Sequence, residues 1–216
     1  KDKVAVVLGA SSIDGLGGVI AKTYANEGAK VVVSGRRQEP LDELAKEIKG
    51  TAQVCDITKD GDVENLFKVA KDTYGKVDIA INSTGIYEPG PLNELSRDHL
   101  RKYSEVSFIG PVIFIREAAE IMEEGGSIIS TTSVTVELSA VGLSGYVGTK
   151  AATDKVIQVA AKEYQHKRLK INSLSPGLVD TPMTGGLFEM EGPIKAMTKE
   201  SPLGRLADVN DVANAA

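Results

Sequence analysis

The amino-acid sequence predicts a three-layer α/β fold, in which helices cover both faces of a doubly wound parallel sheet. Three observations support this class: short apolar runs alternate with helix-like segments along the chain, the first two runs are apolar enough for strands buried on both faces, and a glycine-rich turn follows the first run. Parallel strands need a crossover helix between them, so strict alternation predicts a parallel sheet.

The first βαβ unit is predicted at the start of the chain. The apolar run 3–8 ends in Gly9, which is typical of a buried strand that leads into a tight turn. A helix is predicted over 15–27. The run 30–34 contains three consecutive valines and is closed by Gly35, so it is predicted to be the second strand.

The rest of the chain repeats this alternation. One predicted helix shows an apolar stripe at spacings of three and four, formed by Val63, Leu66, Phe67, Ala70 and Tyr74. Further strands are predicted at 52–55, 77–81, 127–130 and 170–174, and further helices at 41–49, 101–122 and 148–164. The segment 183–202, with its glycines and prolines, is predicted to be a mobile excursion that serves as a lid. Ligands of such sheets bind on the loops that follow strands.

Composition excludes several classes of protein. The 216 residues, 42% hydrophobic and 25% charged, fit one globular domain, and no apolar run approaches the ~18 residues of a membrane span. A net charge of −5 and a pI near 5.2 argue against a nucleic-acid partner. The single cysteine, Cys55, is predicted to be a core residue, and the cytoplasm is the expected compartment. The only histidines, His99 and His166, lie in polar contexts, so no metal site is expected.

The turn after the first strand is a candidate phosphate site. Its sequence, GASSIDGLG over 9–17, lets the backbone approach a pyrophosphate closely, while the helix that follows offers unpaired amides. Such turns also occur for packing alone, but the position between strand and helix favours a dinucleotide. The predicted contacts are Gly9, Ser11, Ser12, Gly15, Leu16 and Gly17.

The end of the second strand indicates which dinucleotide binds. NAD-binding proteins usually carry a carboxylate there for the ribose hydroxyls, whereas this chain has Gly35 followed by Arg36 and Arg37. The planar guanidinium of Arg36 suits a 2′-phosphate, so NADP(H) is the preferred prediction and NAD(H) the alternative. A solvated loop arginine is the simpler explanation of the same residue.

Tyr146 and Lys150 are the candidate catalytic pair. Four positions apart on a predicted helix, they share one face. A free phenol titrates near ~10, so a nearby ammonium is expected to lower its pKa and let Tyr146 act as general acid/base. Ser133 follows a predicted strand and is expected to hydrogen-bond the substrate carbonyl oxygen.

Two further motifs complete the pattern: Asn82-Ser83-Thr84-Gly85 after the fourth strand and Pro176-Gly177 after the sixth. With them, essentially the whole chain resembles the short-chain dehydrogenase/reductase family, whose fold is Rossmann-like. The resemblance implies that Ser133 orients the substrate, Tyr146 is the acid/base, and Lys150 also bonds the nicotinamide ribose. It further implies cofactor contacts from Asp56, Ile57, Asn82, Gly85, Pro176, Gly177, Val179 and Thr181. In simpler explanations, Asp56 ends a strand and Asn82 ties adjacent strands together.

The chain departs from the family pattern in four places. Ile13 and Asp14 look inserted in the glycine turn, and Ser83-Thr84 replaces the usual middle pair of the fourth-strand motif. Ser107 stands where the family has an asparagine that holds a water in a proton relay; its hydroxyl can also bond a water, so it is a candidate catalytic residue. The sequence stops at Ala216 inside a predicted helix, so the final strand of the family sheet is expected to be missing.

The expected activity is hydride transfer between a nicotinamide cofactor and a small-molecule ketone or secondary alcohol, within one domain that spans 1–216. Enoyl reduction is disfavoured by the four-residue spacing of Tyr146 and Lys150. A cofactor-binding scaffold or sensor with weakened catalysis is the alternative, motivated by Ser107 and the altered turn. Neither nucleic acid nor membrane is an expected partner, and the family resemblance implies a homodimer or homotetramer.

Two segments are expected to line the substrate pocket, 134–145 and 183–198. Their apolar side chains indicate a substrate with an apolar body, although the same residues would also suit a core or a subunit contact. These side chains are Leu138, Val141, Leu143, Leu187, Phe188 and Met190.

Overall fold

Six parallel strands form one sheet in the order β3-β2-β1-β4-β5-β6 in the computed structural model, which describes residues 1–138, 140–189 and 191–216. The strands are β1 (Val4–Leu8), β2 (Lys30–Gly35), β3 (Thr51–Val54), β4 (Ile79–Asn82), β5 (Ser127–Thr131) and β6 (Lys170–Leu174). The order reverses at β1 and β4, so a crevice opens at the carboxyl ends of these strands. The predicted doubly wound α/β fold is confirmed.

Helices cover both faces of the sheet. The helices of the described residues are α1 (Leu16–Asn26), α2 (Gln38–Ile48), α3 (Asp62–Tyr74), α4 (Arg97–Ser104), α5 (Gly110–Ile121), α6 (Ser144–Glu163), α7 (Gly185–Phe188), α8 (Glu191–Glu200) and α9 (Val209–Ala215). Successive strand residues point to opposite faces: in β1, Val6 and Leu8 join a core with α3, α5 and α6, whereas Ala5 and Val7 join one with α1, α2 and α9.

Most predicted elements lie where the sequence placed them. The apolar stripe of α3 packs on the sheet, with Tyr74 at its partly buried end, and Cys55 is a buried core residue as expected. The segment 183–202 is largely helical, since α7 and α8 occupy most of it, and its role as a mobile lid stays a prediction. Met190, one of the predicted pocket residues, lies outside the described residues.

Two predicted helices have different boundaries. The helix predicted over 101–122 begins earlier, at Arg97, because the hydroxyl of Ser96 accepts a hydrogen bond from the amide of His99 at 3.1 Å and caps the helix. The π-helical turn Glu105–Ile109 then interrupts it before α5. The helix predicted to begin at 148 begins at Ser144, so Tyr146 lies in its first turn.

Membrane spans and metal clusters were sought in the described part of the chain. None of its helices is both long and apolar enough to cross a bilayer. The same residues contain no group of three or more histidine, cysteine, aspartate or glutamate side chains arranged to hold a metal ion. His99 and His166 are both exposed.

Candidate active site

A cleft of about 360 Å³ opens where the loops after β1, β2, β3 and β4 meet. Its volume lies within the range of small-molecule sites. The predicted cofactor contacts among its lining residues are Gly9, Ser11, Ser12, Arg36, Arg37, Asp56, Ile57 and Gly85. Because the cleft lies where the strand order reverses, it is in the place where sheets of this class bind dinucleotides.

The glycine turn is shaped by close backbone packing. Gly9 has a φ of +97°, and a Cβ there would lie 2.6 Å from the hydroxyl of Ser83. A Cβ on Gly17 would lie 2.6 Å from the carbonyl oxygen of Gly9. Gly15 precedes α1 and has no side chain that could cap the helix. The first backbone amides of α1 are therefore not bonded by the cap residue. The glycine turn over 9–17 and the start of α1 thus form a cradle that fits the phosphates of a dinucleotide.

The two inserted residues form a turn of their own before α1. The amide of Gly15 donates to the carbonyl of Ser12 at 3.0 Å and so closes a loop around Ile13 and Asp14. Ile13 packs against the core that the sheet forms with α1, α2 and α9, and Asp14 is exposed. Neither is among the described residues that line the cleft. The insertion therefore leaves the cradle open.

The two arginines after β2 play different parts. The guanidinium of Arg37 donates to the carbonyl of Ser11 at 2.6 Å, and its amide donates to the Ser11 hydroxyl at 3.3 Å, so Arg37 braces the glycine turn. Within the described chain, the guanidinium of Arg36 makes no hydrogen bond or salt bridge and lines the cleft. A Cβ on Gly35 would lie 2.2 Å from the Ser11 hydroxyl, so a carboxylate there would force Ser11 to move.

Asp56 and Asn82 are both engaged in structural hydrogen bonds. One carboxylate oxygen of Asp56 accepts from the amide and the hydroxyl of Thr58 at 3.0 and 2.8 Å. Desolvation opposes ionisation, but these bonds and the charge of Arg36 hold the pKa of Asp56 below its ordinary value. The amide of Asn82 donates to the Ser130 hydroxyl at 3.1 Å and thereby joins β4 to β5. Both residues therefore make structural hydrogen bonds, as their simpler explanations require. Asp56 also lines the cleft.

Lys150 is a buried cation at the edge of the cleft. It is 3% exposed, and its Nζ donates to the carbonyls of Thr131 at 2.7 Å and Thr84 at 3.4 Å. Burial lowers the pKa of Lys150 to about 8. A Cβ on Gly85 would lie 3.7 Å from this Nζ, so the amine is adjacent to the cleft wall. It also lies 5.9 Å from the ring centroid of Tyr146.

The pKa of Tyr146 departs from the sequence-based expectation. The sequence predicts that Lys150 lowers this pKa, but burial raises the pKa of Tyr146. The hydroxyl of Ser133 opposes the rise in pKa, and the phenols of Tyr87 and Tyr103 add to the rise. The physical reason is that desolvation of the half-buried phenol outweighs the nearby polar groups. Without a cofactor, Tyr146 is therefore a protonated phenol at neutral pH.

The hydroxyl of Ser133 is oriented by a neighbour that the sequence analysis missed. Its Oγ accepts from the amide of Thr135 at 3.2 Å and from the Thr135 hydroxyl at 2.9 Å. A serine hydroxyl has two acceptor positions and one donor. Both acceptor positions are thus filled, and the proton of Ser133 is left to donate into the site. A second hydroxyl two residues after a serine was the available signal.

Ser107 lies within the π-helical turn between α4 and α5. It is fully buried, and its hydroxyl has no hydrogen-bond partner among the described residues. Its carbonyl accepts from the hydroxyl of Thr153 in α6 at 2.5 Å. None of the hydrogen bonds of the described chain joins Ser107 to Lys150, so the relay role of Ser107 stays a prediction.

The loop after β6 lies beside Ser133. The carbonyl of Pro176 accepts from the amide of Val134 at 3.0 Å, which joins the two loops. Val179 is buried, and its carbonyl accepts from the hydroxyl of Thr184. Thr181 bonds the same hydroxyl at 3.0 Å. This loop does not line the cleft described above, so its predicted nicotinamide contacts remain predictions.

Comparison with known proteins adds to this geometry. A profile described as Enoyl-(Acyl carrier protein) reductase matches residues 9–216. An uncharacterized oxidoreductase of Methylorubrum extorquens is 33% identical over 221 residues, covering 98% of this chain and 87% of that protein. The Bos taurus protein named 3-oxoacyl-(acyl-carrier-protein) reductase is 30% identical over 219 residues, covering 100% and 90%. A Brucella melitensis crystal structure, described as a short-chain dehydrogenase/reductase and glucose/ribitol dehydrogenase, superposes with a TM-score of 0.92 at 25% identity, covering 99% and 86%.

Fold, cleft and relatives together define an NAD(P)-dependent oxidoreductase. The sheet order and the glycine cradle are those of a dinucleotide-binding protein, and the named relatives are oxidoreductases. The chain belongs to the short-chain dehydrogenase/reductase family. The resemblance seen in its sequence motifs is thereby confirmed.

Proposed function

We propose that this protein interconverts a carbonyl compound and a secondary alcohol with NADP(H), and that residues 1–216 act as one dinucleotide-binding and catalytic domain. One observation carries the proposal. The buried amine of Lys150 lies 5.9 Å from the Tyr146 ring and beside the wall of the cleft. The proton of Ser133 is free to donate near that phenol. Two hydroxyl donors and a cation close to one another suit polarisation and protonation of a carbonyl oxygen.

Each residue has a distinct task in this proposal. The glycine cradle holds the phosphates and Lys150 holds the ribose on the nicotinamide side; when bound, the cofactor supplies or accepts hydride. Ser133 donates its free proton to the substrate oxygen and orients it. Tyr146 transfers its proton to that oxygen during reduction. Burial raises the pKa of Tyr146, so the phenol carries the proton that reduction requires at neutral pH.

The substrate body is proposed to be apolar. Leu138 is 60% exposed and Val141 is fully exposed on the segment between Ser133 and Tyr146, where a substrate would cover them. The name of the bovine relative, a 3-oxoacyl reductase, agrees with a keto group carried within an acyl chain. Enoyl reduction is the second candidate, supported by the description of the matching profile.

A panel of substrates tests the proposal. Ketones, 3-oxoacyl thioesters, enoyl thioesters and secondary alcohols are each assayed with NADH and NADPH, while cofactor binding is measured separately by calorimetry. We expect turnover of carbonyl compounds. Turnover of enoyl thioesters alone would establish the second candidate. Tight cofactor binding with no turnover across the panel would favour the scaffold or sensor.

The cofactor preference is tested by Arg36→Ala. Because the guanidinium of Arg36 lines the cleft without a partner in the described chain, we expect the variant to bind NADPH about 10- to 100-fold more weakly, the value of a charge-assisted hydrogen bond to phosphate. Affinity for NADH should change little. Isothermal titration of both cofactors measures the effect.

The matched control is Arg168→Ala, which removes an exposed guanidinium paired with Glu124 at 2.9 Å. Arg168 precedes β6 and thus lies at the opposite end of the sheet from the cleft. Equal weakening of NADH and NADPH by Arg36→Ala would reject a clamp on the 2′-phosphate. Arg37→Ala is a less direct test, because Arg37 also braces the glycine turn.

We also propose that the protein acts in the cytoplasm and self-associates as a homodimer or homotetramer, as its family relatives do. Size-exclusion chromatography with light scattering measures the assembly directly. A monomer at micromolar concentration would contradict the proposed association.

A further inference from the structure

Tyr103 joins α4 to the loop that follows β4, close to Tyr146. It is 2% exposed, and its hydroxyl makes two hydrogen bonds to one residue: it accepts from the amide of Glu88 at 2.9 Å and donates to the carbonyl of Glu88 at 2.8 Å. Residues 83–91 form neither helix nor strand. A single side chain therefore satisfies both backbone groups of Glu88, which regular structure would otherwise satisfy.

Two other contacts hold the same loop. The carboxylate of Glu88 pairs with Lys102, but both side chains are about half exposed, and such surface pairs contribute little. The amide of Gly90 donates to the carbonyl of Gly142 at 2.8 Å and joins the loop to the segment before α6. Among these contacts, the Tyr103 hydroxyl is the one that a buried side chain makes.

The ring of Tyr103 also contacts the start of α6. Its centroid lies 6.5 Å from that of Tyr146, with an interplanar angle of 72°. A Cβ on Gly145 would lie 2.9 Å from its ring, so the ring packs directly against the backbone beside Tyr146. Tyr87, the residue before Glu88, makes the second edge contact with Tyr146, at 5.9 Å and 82°.

These contacts form a chain from Tyr103 through Glu88 to Tyr87 and Tyr146. We propose that Tyr103 is a positioning residue that holds Tyr87 against Tyr146, and that Tyr87 is the substrate-facing wall of the site. The half-buried ring of Tyr87 receives an apolar or aromatic group attached to the reacting carbonyl. The inference rests on the proposed function, since it places that carbonyl at Tyr146.

Tyr103→Phe isolates the hydroxyl, because phenylalanine keeps the ring that packs on Gly145 and Tyr146. Loss of the two bonds to Glu88 should raise KM for an aryl or long-chain alkyl ketone about 5-fold, while kcat stays within about 2-fold and the Kd of the cofactor is unchanged. The matched control is Tyr74→Phe, whose hydroxyl bonds that of Thr51 at 2.8 Å at the opposite edge of the sheet. It should leave KM unchanged.

A double-mutant cycle distinguishes positioning from general destabilisation. Tyr87→Leu should itself raise KM, and in that background Tyr103→Phe should change KM less than about 2-fold, because the residue it positions is already gone. Full additivity of the two changes, or an unchanged KM in Tyr103→Phe alone, would overturn the role assigned to Tyr103.

Hydrogen exchange tests, without reference to turnover, whether the Tyr103 hydroxyl holds the loop after β4. In Tyr103→Phe, the amides of residues 84–88 and of Gly90 should exchange about 5-fold faster than in the unaltered protein, and Tyr74→Phe should not change them. Unchanged exchange would show that the Tyr103 hydroxyl does not hold this loop, even in an active enzyme. If the unaltered protein turns over no carbonyl, the proposed function and the effect on KM both fail, whereas the exchange result still decides whether the hydroxyl holds the loop.

Discussion

Tyr146→Phe should lower kcat/KM for carbonyl reduction about 10³-fold and leave cofactor affinity nearly unchanged. Phenylalanine keeps the edge contacts with Tyr87 and Tyr103 and removes only the proton donor. General acid/base catalysis contributes roughly 10²- to 10⁴-fold, so the loss should lie within that range. Steady-state kinetics with the best ketone of the panel and calorimetry of the cofactor measure the two quantities.

Tyr164→Phe is the control for this change. Its hydroxyl bonds the Glu120 carboxylate at 2.9 Å near the end of α6, away from the cleft, so its removal should leave turnover intact. If Tyr146→Phe retained full turnover, the phenol would have no part in proton transfer and Ser133 or a solvent molecule would have to supply the proton. A parallel loss of cofactor affinity would instead assign Tyr146 to binding.

Lys150→Met should lower turnover about 10²-fold and weaken cofactor binding without unfolding the protein. The amine carries a charge in a fully buried position, where its acceptors among the described residues are the carbonyls of Thr131 and Thr84. Methionine has a similar length and no desolvation penalty, so the cost of burying the ammonium offsets the hydrogen bonds that are lost. Thermal unfolding should therefore shift by no more than about 3 °C. Lys155→Met, on the exposed side of the same helix, is the matched control.

The pH dependence of stability gives this prediction a second measurement. Burial lowers the Lys150 pKa from 10.5 to about 8, so the folded state disfavours the ammonium. Below pH 8 the folded and unfolded states are both protonated, and the penalty is complete. Between pH 8 and 10.5 the unfolded chain binds more protons, so stability rises with pH relative to Lys150→Met. A difference that does not vary with pH would show that Lys150 titrates normally.

The local elements were predictable because each follows from residues close together in the chain. Three consecutive valines predict β2, and the spacing from Val63 to Ala70 predicts the buried face of α3; both are found. The break within 101–122 was not predictable, because the π-helical turn is linked to α6 by the bond from Thr153 to the Ser107 carbonyl. The early start of α6 was missed because Gly145 and Gly148 weaken the helix signal there.

Some residues of the candidate site were likewise predictable from the sequence and others were not. Tyr146, Lys150 and Ser133 were found from spacing and chemistry, and the structure brings them to one edge of the sheet. Tyr87 and Tyr103 were missed, since nothing in their local sequence marks them. Thr135 was missed although its hydroxyl lies only two residues after Ser133. The direction of the Tyr146 pKa was also missed, because burial depends on which elements pack around the phenol.

The class of the fold and the residue types available for chemistry could be inferred from the chain alone, because they depend on periodicity, turn residues and spacing within single elements; the family followed from the resemblance of its motifs. Packing between distant segments was needed to show that Arg36 faces the cleft while Arg37 braces the turn, that Lys150 is buried, and that the Tyr103 hydroxyl bonds the loop beside Tyr146. These properties depend on contacts between residues far apart in the chain, and desolvation and hydrogen-bond partners are set only when distant segments pack together.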